Sequence, residues 1–510
     1  MPQLAALISR SAAWYGSRIA VEDGRRAVTF TEVERRSNRF ANAMMVLAPA
    51  PSSRVALLLT NRIEMVEIDL AIIKAGLVKV PINTRLKHEE RAHVINDSGA
   101  TILVFDESEE ESVAAMVAEL DHQVALIRVG SGRLGRDYEM VIVESSVKPP
   151  NAAIGPDDPS LILYTSGTTG RPKGATTTFA ARLAGTMNML ANEIDPQPGD
   201  AMAHVASMAH GSGSKILAHF VRGSRNVPIA KWDPAGFLRT AEELGLTHSF
   251  MVPTMIDAMV EAAAGKDMSS CPLTTISYGG APIAPVRLQA ALEVFGQRFV
   301  QVYGSCEAPH PVLVMSRVEH VNVGDRFASA GRETVATETR IVNGQGDDVG
   351  DGEDGELLVR AASLMRGYWN DPVATADVLH DGWYHTGDVV RRGDGGFVYI
   401  VDRARDMIIS GGYNVYPAEL EAVLARHPDV AEVAVVGVPD PQWGEAVKAI
   451  IVARRDVAEA EILEHCNGLL AGYKRPKSVD FVDALPKGST GKILRRELRD
   501  PYWEGMSRRV

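Results

Sequence analysis

LYTSGTTGRPKG, residues 163–174, decides how this chain is read, because small and hydroxylated residues follow an apolar run and close on a lysine. Glycines let backbone N–H groups approach an anion closely, Ser and Thr add hydroxyl donors, and Lys173 adds a positive charge on a long arm. The stretch is therefore built to wrap phosphate. It is not the P-loop of a nucleoside triphosphatase: five positions after Gly167 stands Pro172 where that loop needs glycine. Six such residues could be an ordinary surface loop, but all twelve together are hard to explain that way.

Outward from this stretch, short β-branched runs alternate with helical ones. Apolar strands at 55–59, 77–81 and 101–105 precede helical stretches at 65–74, 89–94 and 109–120, a pattern that predicts parallel sheet layered with helices. The pattern recurs with strands at 249–253 and 275–278 and helices at 237–244 and 285–295. After about Arg332 the helices stop, and runs at 355–360 and 396–400 predict a small β-rich unit, with the Asp/Gly cluster 344–355 as a hairpin turn. The last hundred residues return to α+β: helix 418–426, strands 430–438 and 446–452, helix 459–470. The expected fold class is α/β, with a large N-terminal domain (1–402) of two α/β layered subdomains plus a β-rich one. A small α+β C-terminal domain (403–510) follows.

At 510 residues the chain is long enough for several cores, and 45% hydrophobic with 23% charged residues is ordinary globular composition. A net charge of −12 argues against nucleic acid as a partner and requires any anionic ligand to sit in a locally positive pocket. Cys271, Cys306 and Cys466 form no CxxC pair and no disulfide framework, which fits a reducing cytoplasm. The N-terminus reads as an amphipathic helix rather than a signal peptide, and the richest apolar stretch, 65–82, is broken by Glu67, Asp69, Lys74 and Lys79. No spanning helix is expected. The terminal Arg508 and Arg509 leave peripheral membrane contact open, and a monomer or homodimer is expected.

Seven further motifs follow in order: SYGGAP (277–282), YGSCE (303–307), GEL (355–357) with GYW (367–369), WYHTGD (383–388), DRARD (402–406), SGGYNVYP (410–417) and TGKI (490–493). With the phosphate loop they resemble the adenylate-forming superfamily of acyl- and aryl-CoA synthetases, luciferases and amino-acid adenylation enzymes, over most of the chain. The resemblance implies ATP, Mg2+ and coenzyme A as ligands and a small-molecule carboxylic acid as substrate, joined to coenzyme A through an acyl-adenylate. It assigns the β,γ-phosphates to Thr165, Ser166, Gly167, Thr168, Thr169 and Gly170 with Lys173. The turn with Gly280, Ala281 and Pro282 would receive the adenine, Tyr303, Gly304 and Cys306 would lie along the nucleotide, and Glu307 would hold the metal. Asp388 and Arg403 would meet the ribose. Lys492, on a glycine-flanked arm, would bridge carboxylate and phosphate as the catalytic cation. Tail-domain rotation about Arg405 would then present Gly411 and Gly412 to the thiol arm, with Lys474 and Arg475 as candidate partners for the coenzyme A phosphates.

Alone, none of these residues carries weight: a lone Asp usually caps a turn, and a lone Lys or Arg is usually solvated. Their shared order favours function. Cys306 departs from the family, which usually has threonine there; a thiol is a weaker donor, so the α-phosphate contact is in doubt, and with no paired base in the motif the residue reads as a small buried filler rather than a nucleophile. MAHGSG (208–213) resembles the segment covering the acyl carboxylate, which implicates His210, and no aspartate stands ready for an amino group, so an amino acid is disfavoured. The acid pocket is expected from Met208, Phe250, Met251, Tyr278, Gly279 and the residues after Glu307. Methionines suit flexible aliphatic chains, which leans toward a medium- or long-chain fatty acid, with aryl and alicyclic acids and a carrier-protein acceptor as alternatives.

Overall fold

In a computed structural model the residues described are 4–165, 172–320, 324–403, 406–410, 413–441, 443–467, 469–470, 472–488 and 493–504. The first layer is an eight-stranded sheet in the order 367–368, 173–178, 159–165, 78–81, 54–58, 102–106, 125–129, 136–137. From Pro159–Thr165 outward to Arg136–Asp137 its strands are parallel. Such strands are covered on both faces and so read as unbroken apolar runs. Val55, Leu57, Ile102 and Val104 enter one core, while Ala56, Leu58, Leu103 and Phe105 enter another.

Helix Ile63–Ala75 packs into the first of these cores with every residue buried and ends at Gly76, whose φ of 65° is left-handed. The charges that break its apolar run are paired inside the protein. Asp69 receives Lys79 at 2.9 Å and Arg182 at 2.7 Å, and Lys74 Nζ reaches Ser37 at 2.8 Å and Asn38 at 2.9 Å as well as Glu34. No helix among the described residues is long and apolar enough to cross a membrane.

The second layer is a fourteen-stranded sheet. Its parallel centre runs 225–228, 201–204, 248–251, 275–278, 299–303. It continues through antiparallel Leu313–Met315 and Ser329–Glu333 into the β-rich strands 398–403, 383–392, 354–361 and 337–342. The join is tight: a Cβ on Gly331 (φ 100°) would lie 2.1 Å from the Val314 backbone. The expected hairpin around 344–355 forms between 337–342 and 354–361. Strand Ile19–Glu22 joins this second sheet beside Arg225–Pro228, a partnership no local pattern announces.

Several boundaries differ from expectation, helix 109–120 being Glu110–Val117 and helix 418–426 being Pro417–Leu424 among them. Helices do not stop at Arg332, for Pro372–Val378 is helical, with Pro372 in its first turn and Asp371 accepting the Ala374 N–H at 2.9 Å. The tail helix beginning at Glu459 ends at His465 rather than Leu470, where its backbone turns. The tail sheet runs 413–415, 408–410, 444–453, 430–440, with 478–481 parallel to 444–453. Its apolar face is covered by helices Pro417–Leu424 and Glu459–His465.

Three histidines are sealed beneath the second sheet. His204 donates from Nε2 to Asn226 Oδ1 at 2.8 Å and accepts the Ser212 hydroxyl at 2.9 Å. The His219 and His248 rings stand edge to face at 5.0 Å. Burial pushes His204 and His248 down to about 4, and His219 further below its usual value. Depressed values mean that the unfolded chain takes up protons the folded one refuses. This stability is complete above about pH 6.5 and is lost as pH falls toward about 4. Denaturant melts from neutral pH to about pH 5 should show a loss on the order of a few kcal/mol. A flat profile would mean that these rings are solvated.

Candidate active site

The phosphate loop is a connection between two antiparallel neighbours, Pro159–Thr165 and Lys173–Thr178, in which Thr165 and Lys173 are register partners. Thr165 and Lys173 thus mark the loop's two feet. Ser166, Gly167, Thr168, Thr169 and Gly170 lie outside the described residues. Strand Gly367–Tyr368 pairs with the outer side of Lys173–Thr178, Tyr368 opposite Ala175, and Trp369 N–H donates to the Gly174 carbonyl at 2.7 Å.

This pairing brings the site together. Lys173 Nζ lies 5.3 Å from the centre of the Tyr368 ring, and the Tyr368 hydroxyl donates to Glu307 Oε1 at 2.8 Å. Glu307 itself is 9% exposed and its carbonyl accepts the Met365 N–H at 2.8 Å. A cation, an aromatic ring and a carboxylate from three distant stretches therefore stand in line. Among the described residues no group of three metal-ligating side chains exists. A lone ordered carboxylate fits Mg2+ that arrives on ATP, since magnesium keeps water and phosphate oxygens and takes only one or two protein carboxylates.

Strand Phe299–Tyr303 ends at the YGSCE turn, where a Cβ on Gly304 would lie 2.6 Å from the His310 nitrogen. Cys306 packs against the core of the β-rich unit but is only half-buried, not the fully buried filler expected. Tyr303 donates its hydroxyl to Asp388 Oδ2 at 2.5 Å. Burial and the Asp388 charge hold that hydroxyl well above the usual phenol range, so it remains a donor. Asp388 is 7% exposed and is the register partner of Arg403 on the next strand; the Arg403 side chain is outside the described residues. Gly280, Ala281 and Pro282 form the exposed turn after strand Thr275–Tyr278, and a Cβ on Gly279 would lie 2.3 Å from the Val302 carbonyl oxygen. The turns that follow Thr275–Tyr278 and Phe299–Tyr303 and the strand that carries Asp388 thus belong to one continuous sheet. Tyr303→Phe removes the donor that orients Asp388, and about 1.5 kcal/mol for a hydrogen bond to a charged group gives roughly a tenfold rise in KM for ATP. Steady-state kinetics with kcat little changed would bear this out; an unaltered KM would remove Asp388 from the nucleotide site.

His210 Nε2 lies 3.0 Å from Asn83 Nδ2. Asn83 Oδ1 accepts the Arg85 N–H at 3.0 Å, which orients the amide so that Nδ2 donates to His210 and the ring proton sits on Nδ1. Burial pushes His210 down to about 4, so the ring is neutral near pH 7. It can give a hydrogen bond without adding charge. Asn83 and Tyr368 carry no role from sequence: Tyr368 lies within a quoted motif, and Asn83 has no local signal.

Strand alternation divides the residues expected to form the acid pocket. Met251 and Tyr278 join the core on one face of the second sheet, while Phe250 joins the cluster on the other, and Met208 is buried in the core shared with the first sheet. In the tail, Gly411, Gly412, Arg405 and Lys492 lie outside the described residues. Lys474 is paired with Glu419 at 2.8 and 2.7 Å, and Arg475 is held by the Leu470 carbonyl at 2.9 Å and by Asn467 at 2.5 Å. Neither is poised for a phosphate in this arrangement.

Residues 8–369 match the AMP-binding enzyme family, and residues 419–492 match the AMP-binding enzyme C-terminal domain. A feruloyl-CoA synthase from an Amycolatopsis species is 38% identical over 484 residues, covering 94% of this chain and 95% of that protein. The medium/long-chain-fatty-acid–CoA ligase FadD8 of Mycobacterium tuberculosis is 34% identical over 499 residues, covering 93% and 86%. The o-succinylbenzoate CoA synthetase MenE of Bacillus subtilis, solved with its acyl-adenylate intermediate, matches with a TM-score of 0.87 at 28% identity over 98% of each chain. Fold and relatives define an AMP-forming acid–thiol ligase. The chain belongs to the AMP-binding enzyme family, as its motif order implied.

Proposed function

We propose that the protein activates an aryl carboxylic acid with Mg-ATP and transfers the acyl group to coenzyme A. A carboxylate oxygen attacks the α-phosphorus and pyrophosphate leaves; the thiol then attacks the acyl carbon and AMP leaves, carrying that oxygen. The observation that carries this reading is the Lys173–Tyr368–Glu307 line beside the Tyr303–Asp388 pair, a cationic and metal-binding end next to a ribose-binding end. Thr165–Gly170 and Lys173 serve the departing phosphates, Glu307 the Mg2+, Gly280–Pro282 with Tyr303 the adenosine, and Asp388 with Arg403 the ribose. Gly304 and Cys306 line the turn at the α-phosphate, and neutral His210 hydrogen-bonds the acid's carboxylate.

The chain divides at 402/403, and the tail domain swings Lys492 in for adenylation and the Gly411–Gly412 face in for thioester formation, with Lys474 leaving Glu419 to meet a coenzyme A phosphate. An aryl acid is favoured over a fatty acid because the methionines that suggested an aliphatic chain are spent in cores, while Phe250 and His310 lie flat on each other at 5.5 Å and 12° beside Gly211. Feruloyl and succinylbenzoyl groups are also named for two of the relatives above. The test is acid-dependent exchange of labelled pyrophosphate into ATP without coenzyme A. Exchange that needs Mg2+ and an aryl acid supports the reading; ADP in place of exchange would overturn it.

A further inference from the structure

The ladder between Asp354–Ala361 and Trp383–Arg392 breaks at one place, and the break carries Asp388. Glu356 pairs with Val389 and Leu358 with His385, so Thr386, Gly387 and Asp388 together stand opposite Leu357 alone. On its other side the same strand keeps Asp388 in register with Arg403. A bulge of this kind bends the strand, sharpens its twist and re-aims a side chain. Gly387 makes the bend possible: its φ of 69° is left-handed, while a Cβ there would meet nothing within 4 Å, so backbone freedom rather than space requires glycine.

The bulge is clasped from the neighbouring strand. Glu356 Oε1 accepts the Gly387 N–H at 3.0 Å, and Glu356 Oε2 accepts from His385 Nδ1 at 3.1 Å. The Thr386 hydroxyl donates to the Leu357 carbonyl at 2.8 Å and accepts the Asp388 N–H at 3.1 Å. His385, Thr386, Gly387 and the backbone of Asp388 are therefore all tied down by groups outside the regular ladder. Glu356 and His385 are only half-buried, and a pair so placed contributes little to stability. Its geometric effect is larger, because it sets the backbone from which the buried Asp388 side chain leaves the sheet.

On the reading of Asp388 as the ribose partner given above, we propose that Glu356 is a positioning residue for nucleotide recognition. By holding the Gly387 N–H and His385 Nδ1 it fixes the bulge, and so aims the Asp388 carboxylate at the ribose hydroxyls. Tyr303 orients the same carboxylate from the side-chain end, through its hydrogen bond to Oδ2, and Glu356 orients it from the backbone end. Hydrogen bonds weaken steeply away from linear geometry, so a bulge left free would cost the hydroxyl contacts while leaving those to adenine and phosphate in place.

The experiment is calorimetric titration of the full-length protein, in Mg2+ and without any acid, with ATP and with 2′,3′-dideoxy-ATP, which lacks both hydroxyls. The parent should bind ATP tighter by about tenfold or more, the scale of a hydrogen bond to a charged group. Glu356→Leu removes both acceptors at similar volume and should weaken ATP by about tenfold while hardly touching the dideoxy nucleotide, so the preference falls to within a few-fold. Glu356→Gln keeps an oxygen for the Gly387 N–H and should keep the preference. A folded Glu356→Leu protein with the parental preference overturns the inference, as does one that loses both nucleotides equally, or a glutamine variant no better than leucine. If Glu356→Leu does not fold, Thr386→Val, which removes the hydroxyl clasp, carries the same expectation and the same contradiction. A parent that binds the two nucleotides alike takes Asp388 away from the ribose and overturns the reading beneath the inference; one that binds neither counts against the ATP site itself.

Discussion

Replacing Glu307 with glutamine should lower the rate of adenylate formation by about 10²–10³-fold, the scale on which removing one preorganised electrostatic group acts. Glutamine keeps the volume of a side chain that is 9% exposed, and its carbonyl can still accept the Tyr368 hydroxyl now bonded at 2.8 Å. The Met365-to-Glu307 backbone bond is untouched. On the proposed assignment, what is lost is the negative charge that would hold the metal near Lys173, so the apparent Mg2+ requirement should rise with the fall in kcat. Pyrophosphate exchange measured across a magnesium titration, with near-identical melting of both proteins as control, checks both expectations. A variant as fast as the parent at every magnesium concentration would take the metal away from Glu307.

Lys492→Ala should remove the first half-reaction and spare the second. Adenylation places negative charge from carboxylate and phosphate at one point, and loss of a single cation there should cost about 10³-fold or more. Thioester formation needs no such bridge, so the variant given a synthetic acyl-adenylate should pass the acyl group to coenzyme A at close to the parental rate. Single-turnover assays of the two halves separate these outcomes. Equal losses in both would make Lys492 a structural residue of the tail, and no loss in either would remove it from the chemistry.

What the sequence made legible follows the physics of each part. Phosphate recognition relies on consecutive backbone groups and small residues, so 163–174 announces itself, and buried parallel strands announce themselves as apolar runs. Tyr368 could not be assigned a role in this way. Its place beside Lys173 and Glu307 depends on Gly367–Tyr368 pairing with Lys173–Thr178, a contact across nearly two hundred residues that no local pattern encodes. The residues expected to form the acid pocket are divided for a related reason: Phe250 and Met251 are neighbours in sequence but face opposite sides of the sheet. What shares the Phe250 face depends on His310 and Lys215 arriving from other segments. The short helix Pro372–Val378 starts at an Asp-Pro that suits a first turn, but seven residues are too few to show an apolar period.

The most direct test of the account follows an oxygen atom. With an aryl acid labelled with heavy oxygen in both carboxylate positions, one turnover with Mg-ATP and coenzyme A should deliver a single labelled oxygen to AMP and leave the other in the thioester, because the acid attacks the α-phosphorus and the thiol later expels AMP. Label in inorganic phosphate with ADP as the nucleotide product would instead mean an acyl-phosphate route, and would contradict the adenylate chemistry on which every residue assignment rests.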